Sequence, residues 1–344
     1  MTRQNVSLLV VAILAAAFLL ITPDVFLLAF AGILLAILLH GGGHWIGSKF
    51  GIADGWGIGL FILGIMIFLV AFGVLIAPAV SEQINELAQR IPDAFEQVQQ
   101  RIEESAWGSY LLERINPDIL TSAKGRTAAA SALTSTFGAL GNIVIILFIG
   151  LYGAINPGLY RHTVSLLLAP ALRKRGEEVM LATGRTLHQW LLAQLFLMMI
   201  VGVLIGFGLW FAGVPLAFAL GFIAGLLAFI PNIGPVIAIV PALLLAFPEG
   251  WNTVLIVVAI YLAVQTIESY IIMPLVQQEK VSLAPALIII VQVFFGSLFG
   301  VLGLLLATPF AAAAMTLVRE TYISRYLEEE KNFSTVQTES GAGI

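Results

Sequence analysis

Apolar residues run in long blocks along this chain, and polar residues gather in short stretches between them. A helix that crosses a bilayer needs about 20 mostly apolar residues. Val6–Ile21 and Val25–Leu39 are the first two blocks. Between them stands Thr22-Pro23-Asp24, where proline stops one helix and aspartate can cap the next. Trp56–Val80, Phe137–Ile155, Leu187–Gly213 and Thr253–Met273 follow, the last ended by Pro274. His40-Gly-Gly-Gly-His44 through Asp54 reads as a polar turn, because three consecutive glycines disfavour a helix.

Two further apolar stretches are interrupted. Leu216–Ile230 and Val236–Phe247 are each too short to span, and Pro231-Asn232-Ile233-Gly234-Pro235 separates them. Ala284–Thr316 is punctured by Gly296, Gly300, Gly303 and Pro309. The pattern predicts an all-α polytopic membrane protein of about eight hydrophobic segments, six full spans plus two broken or re-entrant helical hairpins. Spacing alone leaves open whether each hairpin is re-entrant or fully spanning.

A different period governs Ser81–Thr136. Val80, Ile84, Leu87, Ile91, Phe95, Val98 and Ile102 recur at helical steps, with Glu82, Glu86, Arg90, Asp93 and Glu96 on the other faces. Pro92 should kink this amphipathic arm, and two shorter helices are expected at Ser109–Ile115 and Ile119–Ala132. The apolar stripe must be covered by the membrane surface, by the rest of the chain or by a second copy. The organisation expected is therefore helices one to three in 1–80, the arm in 81–136 and a transport core in 137–318. A cytoplasmic loop at 156–186 and a charged, partly disordered tail at 319–344 complete it.

Composition supports this reading. Of 344 residues 60% are hydrophobic and only 10% charged, against roughly 25% charged in a soluble domain. Mean hydropathy is +1.01. A large soluble catalytic domain is excluded, because too few charges exist to coat one. Net charge is −4, which leaves no nucleic-acid footprint, and the absence of cysteine removes thiolate chemistry. Arg161, Arg173, Lys174, Arg175 and Arg185 outnumber the acids of 156–186, which places that loop in the cytoplasm. The more acidic Ser81–Thr136 falls outside, and both termini return to the cytoplasm.

Little in the chain suggests an enzyme. No phosphate loop and no H-E-x-x-H helix occur, so no catalytic residue and no cofactor is expected. His40 and His44 have the spacing of a metal pair, but the glycines argue against the helix that would align them, and no metal site is expected. Glu268 is the residue that demands explanation. It is read as lying mid-way along the Thr253–Met273 span, where a carboxylate costs at least roughly 2.5–3.5 kcal/mol. Gln265 precedes it by three residues on the same helix face. The pair either faces water, an ion or a proton path, or ties helices together as a neutral hydrogen-bonded group.

The Pro231–Pro235 break has two equally simple readings. Two prolines withhold donors, Gly234 permits positive φ and Asn232 can satisfy freed groups. Such backbone at membrane depth survives only when buried in protein or lining water, as at transporter sites. A surface turn would use the same residues. Gly296, Gly300 and Gly303 suit a second break, although close helix packing alone also explains them. Gln194 and Gln292 fit interhelical hydrogen bonds.

In order along the chain stand Phe229-Ile-Pro-Asn-Ile-Gly-Pro235, Gln265-Thr-Ile-Glu268, Met273-Pro274 and Phe299-Gly-Val-Leu-Gly-Leu-Leu-Leu-Ala-Thr-Pro309. Together they resemble the AI-2E (autoinducer-2 exporter, PerM-like) transporter family, most densely from Leu187 to Arg319. Asn232 stands where that family often has tyrosine, and Ser269 where glycine commonly follows the glutamate. The resemblance implies a multi-pass, homo-oligomeric protein of the bacterial inner membrane. It also implies export of a small polar solute such as autoinducer-2, or Na⁺/H⁺ antiport. Glu268, Gln265, Asn232, Pro231, Gly234, Pro235, Gly296, Gly300 and Gly303 are the expected substrate- or ion-binding set. A non-transporting scaffold that binds partners through the arm is the third reading.

Overall fold

The computed structural model describes residues 22–75, 78, 81–87, 89–91, 141–273 and 285–322. The Val6–Ile21 block, Pro92, the two later arm helices and the tail beyond residue 322 lie outside the described residues. The described chain is helical, with no strand among its elements. In order these are α1 (Pro23–Phe50), α2 (Asp54–Leu75), α3 (Gly141–Ile155) and α4 (Pro157–Ser165). After a 3-10 turn at Pro170–Leu172 come α5 (Arg173–Phe211), α6 (Ala217–Leu227), α7 (Ile233–Glu249), α8 (Trp251–Ile267) and α9 (Pro285–Val318). A π-helical turn, Glu268–Ile272, extends α8.

Four stretches are long and apolar enough to cross a membrane: Asp24–Phe50, Pro170–Phe211, Trp251–Ile272 and Ala286–Tyr322. The α3–α4 pair, bent by 92° at Asn156, is a fifth if taken as one span. A membrane protein therefore stands, while the expected count of about eight segments is not reached among the described residues.

The described residues form two compact units. Those within Met1–Ile62, Ile145–Ala193 and Glu279–Ile344 make the first, and those within Leu63–Val144 and Gln194–Gln278 the second.

In the first unit, Leu27, Phe30 and Leu34 of α1 pack with Leu187 and Leu191 of α5 and with Phe295, Leu306 and Ala307 of α9. Phe310 anchors this core, meeting the rings of Phe26 and Phe30 edge-on at 5.9 and 5.7 Å. The expected turn at His40–His44 is corrected here, because α1 runs unbroken through all three glycines. Tertiary packing overrides their low propensity. The His188 ring lies where a Gly41 side chain would be, the Phe61 ring at Gly42, and Ile58 at Gly43. The glycines are the contact face of a helix. Most of the expected 156–186 loop is likewise helical, in α4 and the first turns of α5.

Helix α9 is long enough to span but does not run straight. Gly300 takes φ 61° and ψ −142° inside it. The Gln292 amide then reaches the Thr308 hydroxyl at 3.3 Å, although a straight helix would separate them by about 24 Å. The Phe295 and Phe310 rings meet at 4.8 Å. The chain reverses at Gly300, which divides α9 into two arms, 285–299 and 301–318. This is a helical hairpin.

The second unit is a bundle of antiparallel helices. Gly202 and Gly206 of α5 lie against Gly221 and Gly225 of α6 so closely that backbone meets backbone. Leu209, Leu220, Ala242 and Val257 fill the core that α7 and α8 complete. Leu87 of the arm is buried in it and Ile91 packs against it, so this part of the stripe is covered by the chain itself. The arm also caps α6, since Gln83 Oε1 accepts the Ala219 N–H at 3.0 Å. That amide is one of the first-turn donors with no partner inside the helix.

Candidate functional site

The break between α6 and α7 is built from a reversal over Phe229–Ile233. Phe229 and Ile230 donate back to Leu226 and Leu227, and the Ile233 N–H reaches the Pro231 carbonyl at 2.8 Å. That last bond closes a γ-turn on Asn232, whose φ of 65° and ψ of −47° belong to the rare, strained hand of this turn. Pro235 lies in the first turn of α7, where a missing donor costs nothing.

Two expectations change here. The positive φ falls on Asn232 and not on Gly234. Gly234 is glycine because a Cβ there would overlap the Leu227 carbonyl. The Asn232 side chain makes no capping bond to α7 and is exposed, whereas Pro231 and Gly234 are buried. Behind the turn, Gln194 of α5, itself buried, donates to the Ala228 carbonyl at 2.6 Å. It holds the frayed end of α6 and makes the interhelical bond expected of it.

Helices α7 and α8 run antiparallel about Gly250, whose φ is 113°. The buried Tyr261 hydroxyl donates to the Ala238 carbonyl at 3.0 Å and fixes their register. Beyond that bond Glu268 lies at the end of α8, and Pro231 lies in the turn ahead of α7.

Glu268 stands at the C-terminal end of α8 and opens the π-turn, in which the Met273 N–H bonds the Glu268 carbonyl. Single π-turns inside α-helices recur at functional sites. The residue is nearer the end of its helix than the sequence suggested, yet it is only 5% exposed. Gln265, half-buried one turn earlier, hydrogen-bonds its carboxylate. Among the described residues no Lys, Arg or His pairs with it. The negative end of the helix dipole adds nothing favourable to an anion there. A carboxylate held this way can take up a proton or a cation.

The structure thus gathers Glu268, Gln265, Pro231, Asn232, Gly234 and Pro235 in one unit. Gly296, Gly300 and Gly303 belong to the other. There a Cβ on Gly303 would overlap the Phe295 carbonyl, and Gly296 receives the Leu304 side chain. Tyr261 and Gln83 were not singled out in the sequence. A tyrosine in an apolar run carries no signal until the helix register is known.

A family model described as "AI-2E family transporter" matches residues 8–323. The chain is 24% identical over 265 residues to "Putative transport protein YueF" of Bacillus subtilis, covering 73% of this chain and 71% of that one. "Putative transport protein YrrI" of the same organism is 31% identical over 171 residues, 50% of this chain and 48% of the other. "AI-2 transport protein TqsA" of Escherichia coli is 25% identical over 276 residues, 75% and 76% of the two chains.

Proposed function

This chain belongs to the AI-2E transporter family, and from that premise we propose that it is a multi-pass inner-membrane secondary transporter that moves a small polar solute by ion or proton coupling. The observation that carries this reading is Glu268: a buried carboxylate with one amide donor, on a π-turn, in the same compact unit as the strained break at Asn232. Irregular backbone and a lone carboxylate together are what a substrate and coupling-ion site uses. Glu268 is the proton or cation acceptor, and Gln265 orients it. An autoinducer-2-like solute is the first candidate, since one relative is named for that transport.

Transport by movement of a hairpin-bearing bundle, a homo-oligomeric assembly and cytoplasmic termini belong to the same proposal. A Na⁺(Li⁺)/H⁺ antiporter is the second reading, favoured by the absence of a basic partner for Glu268 among the described residues.

The test is flux in reconstituted vesicles under imposed pH and Na⁺ gradients, with a panel of small polar solutes. Glu268→Gln keeps the shape and the hydrogen bond, so it should insert normally and lose gradient-driven uptake. A wild-type rate with unchanged pH dependence in that variant would sink the coupling role. Proton movement driven by Na⁺ or Li⁺ with no solute present would select the antiporter.

A further inference from the structure

The continuity of α1 through Gly41–Gly43 aligns two histidines that the sequence alone leaves apart. His40 and His44 occupy successive turns of one helix face, with ring centroids 6.4 Å apart and planes 17° from parallel. Each Nδ1 is engaged by an acceptor. His40 Nδ1 meets the Ala154 carbonyl at 3.0 Å, and His44 Nδ1 meets Asp54 Oδ1 at 3.1 Å. A carbonyl and a carboxylate can only accept, so both neutral rings carry their proton on Nδ1 and present the Nε2 lone pair.

This is the outer shell of a metal-binding imidazole. Metal-ligating histidines donate their second nitrogen to a backbone carbonyl or a carboxylate, which fixes the tautomer and raises ligand basicity. Here one ring has each kind of partner. The place is also reachable from water. His44 and Asp54 are well exposed, while Lys49 sits over the Trp45 ring at 5.0 Å and Trp56 is bare to its surroundings. Tryptophan and a lysine at a helix end mark the level of the lipid headgroups.

We infer that His40 and His44 form a chelate for a divalent transition-metal ion of the Zn²⁺ class, held by the two Nε2 atoms and completed by water. Imidazole suits zinc, copper and nickel, whereas magnesium and calcium prefer oxygen. With centroids 6.4 Å apart, the near-parallel rings must draw about 1 Å closer and turn toward each other before both Nε2 atoms reach the roughly 2.0–2.1 Å of a Zn–N bond, a movement within the reach of side chains one turn apart. Among the described residues no three His, Cys, Asp or Glu side chains converge on one point, so the protein supplies two ligands. His188, against Gly41, stays a neighbour. Such an ion would pin the end of α1 to the start of α2 through Asp54.

The test uses the full-length, tag-free protein in detergent, titrated with Zn²⁺ against a chromogenic chelator. One equivalent should bind per chain, and His40→Ala or His44→Ala should each weaken binding at least tenfold. Asp54→Ala, which removes only the outer acceptor, should weaken it by about 10- to 100-fold. His162→Ala should leave it unchanged, since that ring lies by Glu177 on α4. The exposed His44 keeps the test open if His40→Ala fails to fold. Absence of a bound equivalent in the wild type, or equal affinity in His44→Ala, overturns the proposal. Neither outcome depends on Glu268 or on transport.

Discussion

Tyr261 donates its hydroxyl to the Ala238 carbonyl across the α7–α8 pair, one turn before Pro241 interrupts the donors of α7. A proline leaves the helix short of one hydrogen bond, so a side-chain donor here stiffens the weakest part of the helix. Tyr261→Phe keeps the ring and removes the bond. It should lower stability by about 1 kcal/mol, read as an earlier thermal unfolding transition in detergent with the fold unchanged by circular dichroism.

Close approach and conformational strain make different demands on glycine. Gly234→Ala and Gly303→Ala would each drive a Cβ into a backbone carbonyl that cannot move aside, and each should cost about 3 kcal/mol or more. Gly184 of α5 has open space where its Cβ would be, so Gly184→Ala should gain up to about 1 kcal/mol. Size-exclusion profiles and melting of the three variants check the contrast.

At Gly300 nothing lies near the Cβ position, but φ is 61° with ψ −142°. That backbone region is essentially closed to other residues. Gly300→Ala should therefore destabilise by about 1–3 kcal/mol without any clash. Chemical unfolding would register it, and a variant as stable as wild type would show that the chain does not reverse there.

Asn232 carries strain that glycine would not. Asn232→Gly should raise stability by about 1 kcal/mol, since its side chain caps nothing. Melting temperature is one readout and vesicle flux the other. Higher stability with slower transport is expected if the strained turn serves the moving site.

Gln83 tests the arm. Gln83→Ala leaves the Ala219 N–H without its cap and should cost roughly 0.5–2 kcal/mol. Hydrogen exchange should then rise at the first turn of α6 before it rises elsewhere.

Much of this was legible from residue order. The apolar blocks announced helices, and the broken motifs marked both reversals. Gln194 makes the interhelical bond its isolation suggested, and Gln292 bonds across the two arms of α9. What escaped were properties of partners rather than of local sequence. Three glycines disfavour a helix until His188, Phe61 and Ile58 press against them. The positive φ belongs to Asn232, while Gly234 is glycine because Leu227 crowds it from behind. Register is invisible before the helices meet, so the bond from Tyr261 to Ala238 could not be read in advance.

The reversal of α9 at Gly300 also bears on how the protein is made. A helical hairpin, whatever depth its tip reaches, leaves both flanks on the side where they were synthesised. No hydrophilic loop has to be threaded across during its insertion. From Ala286 to Val318 the chain carries no charged side chain, so the tip can enter lipid without dragging an ion along. The biosynthetic machinery then has only to release this segment sideways.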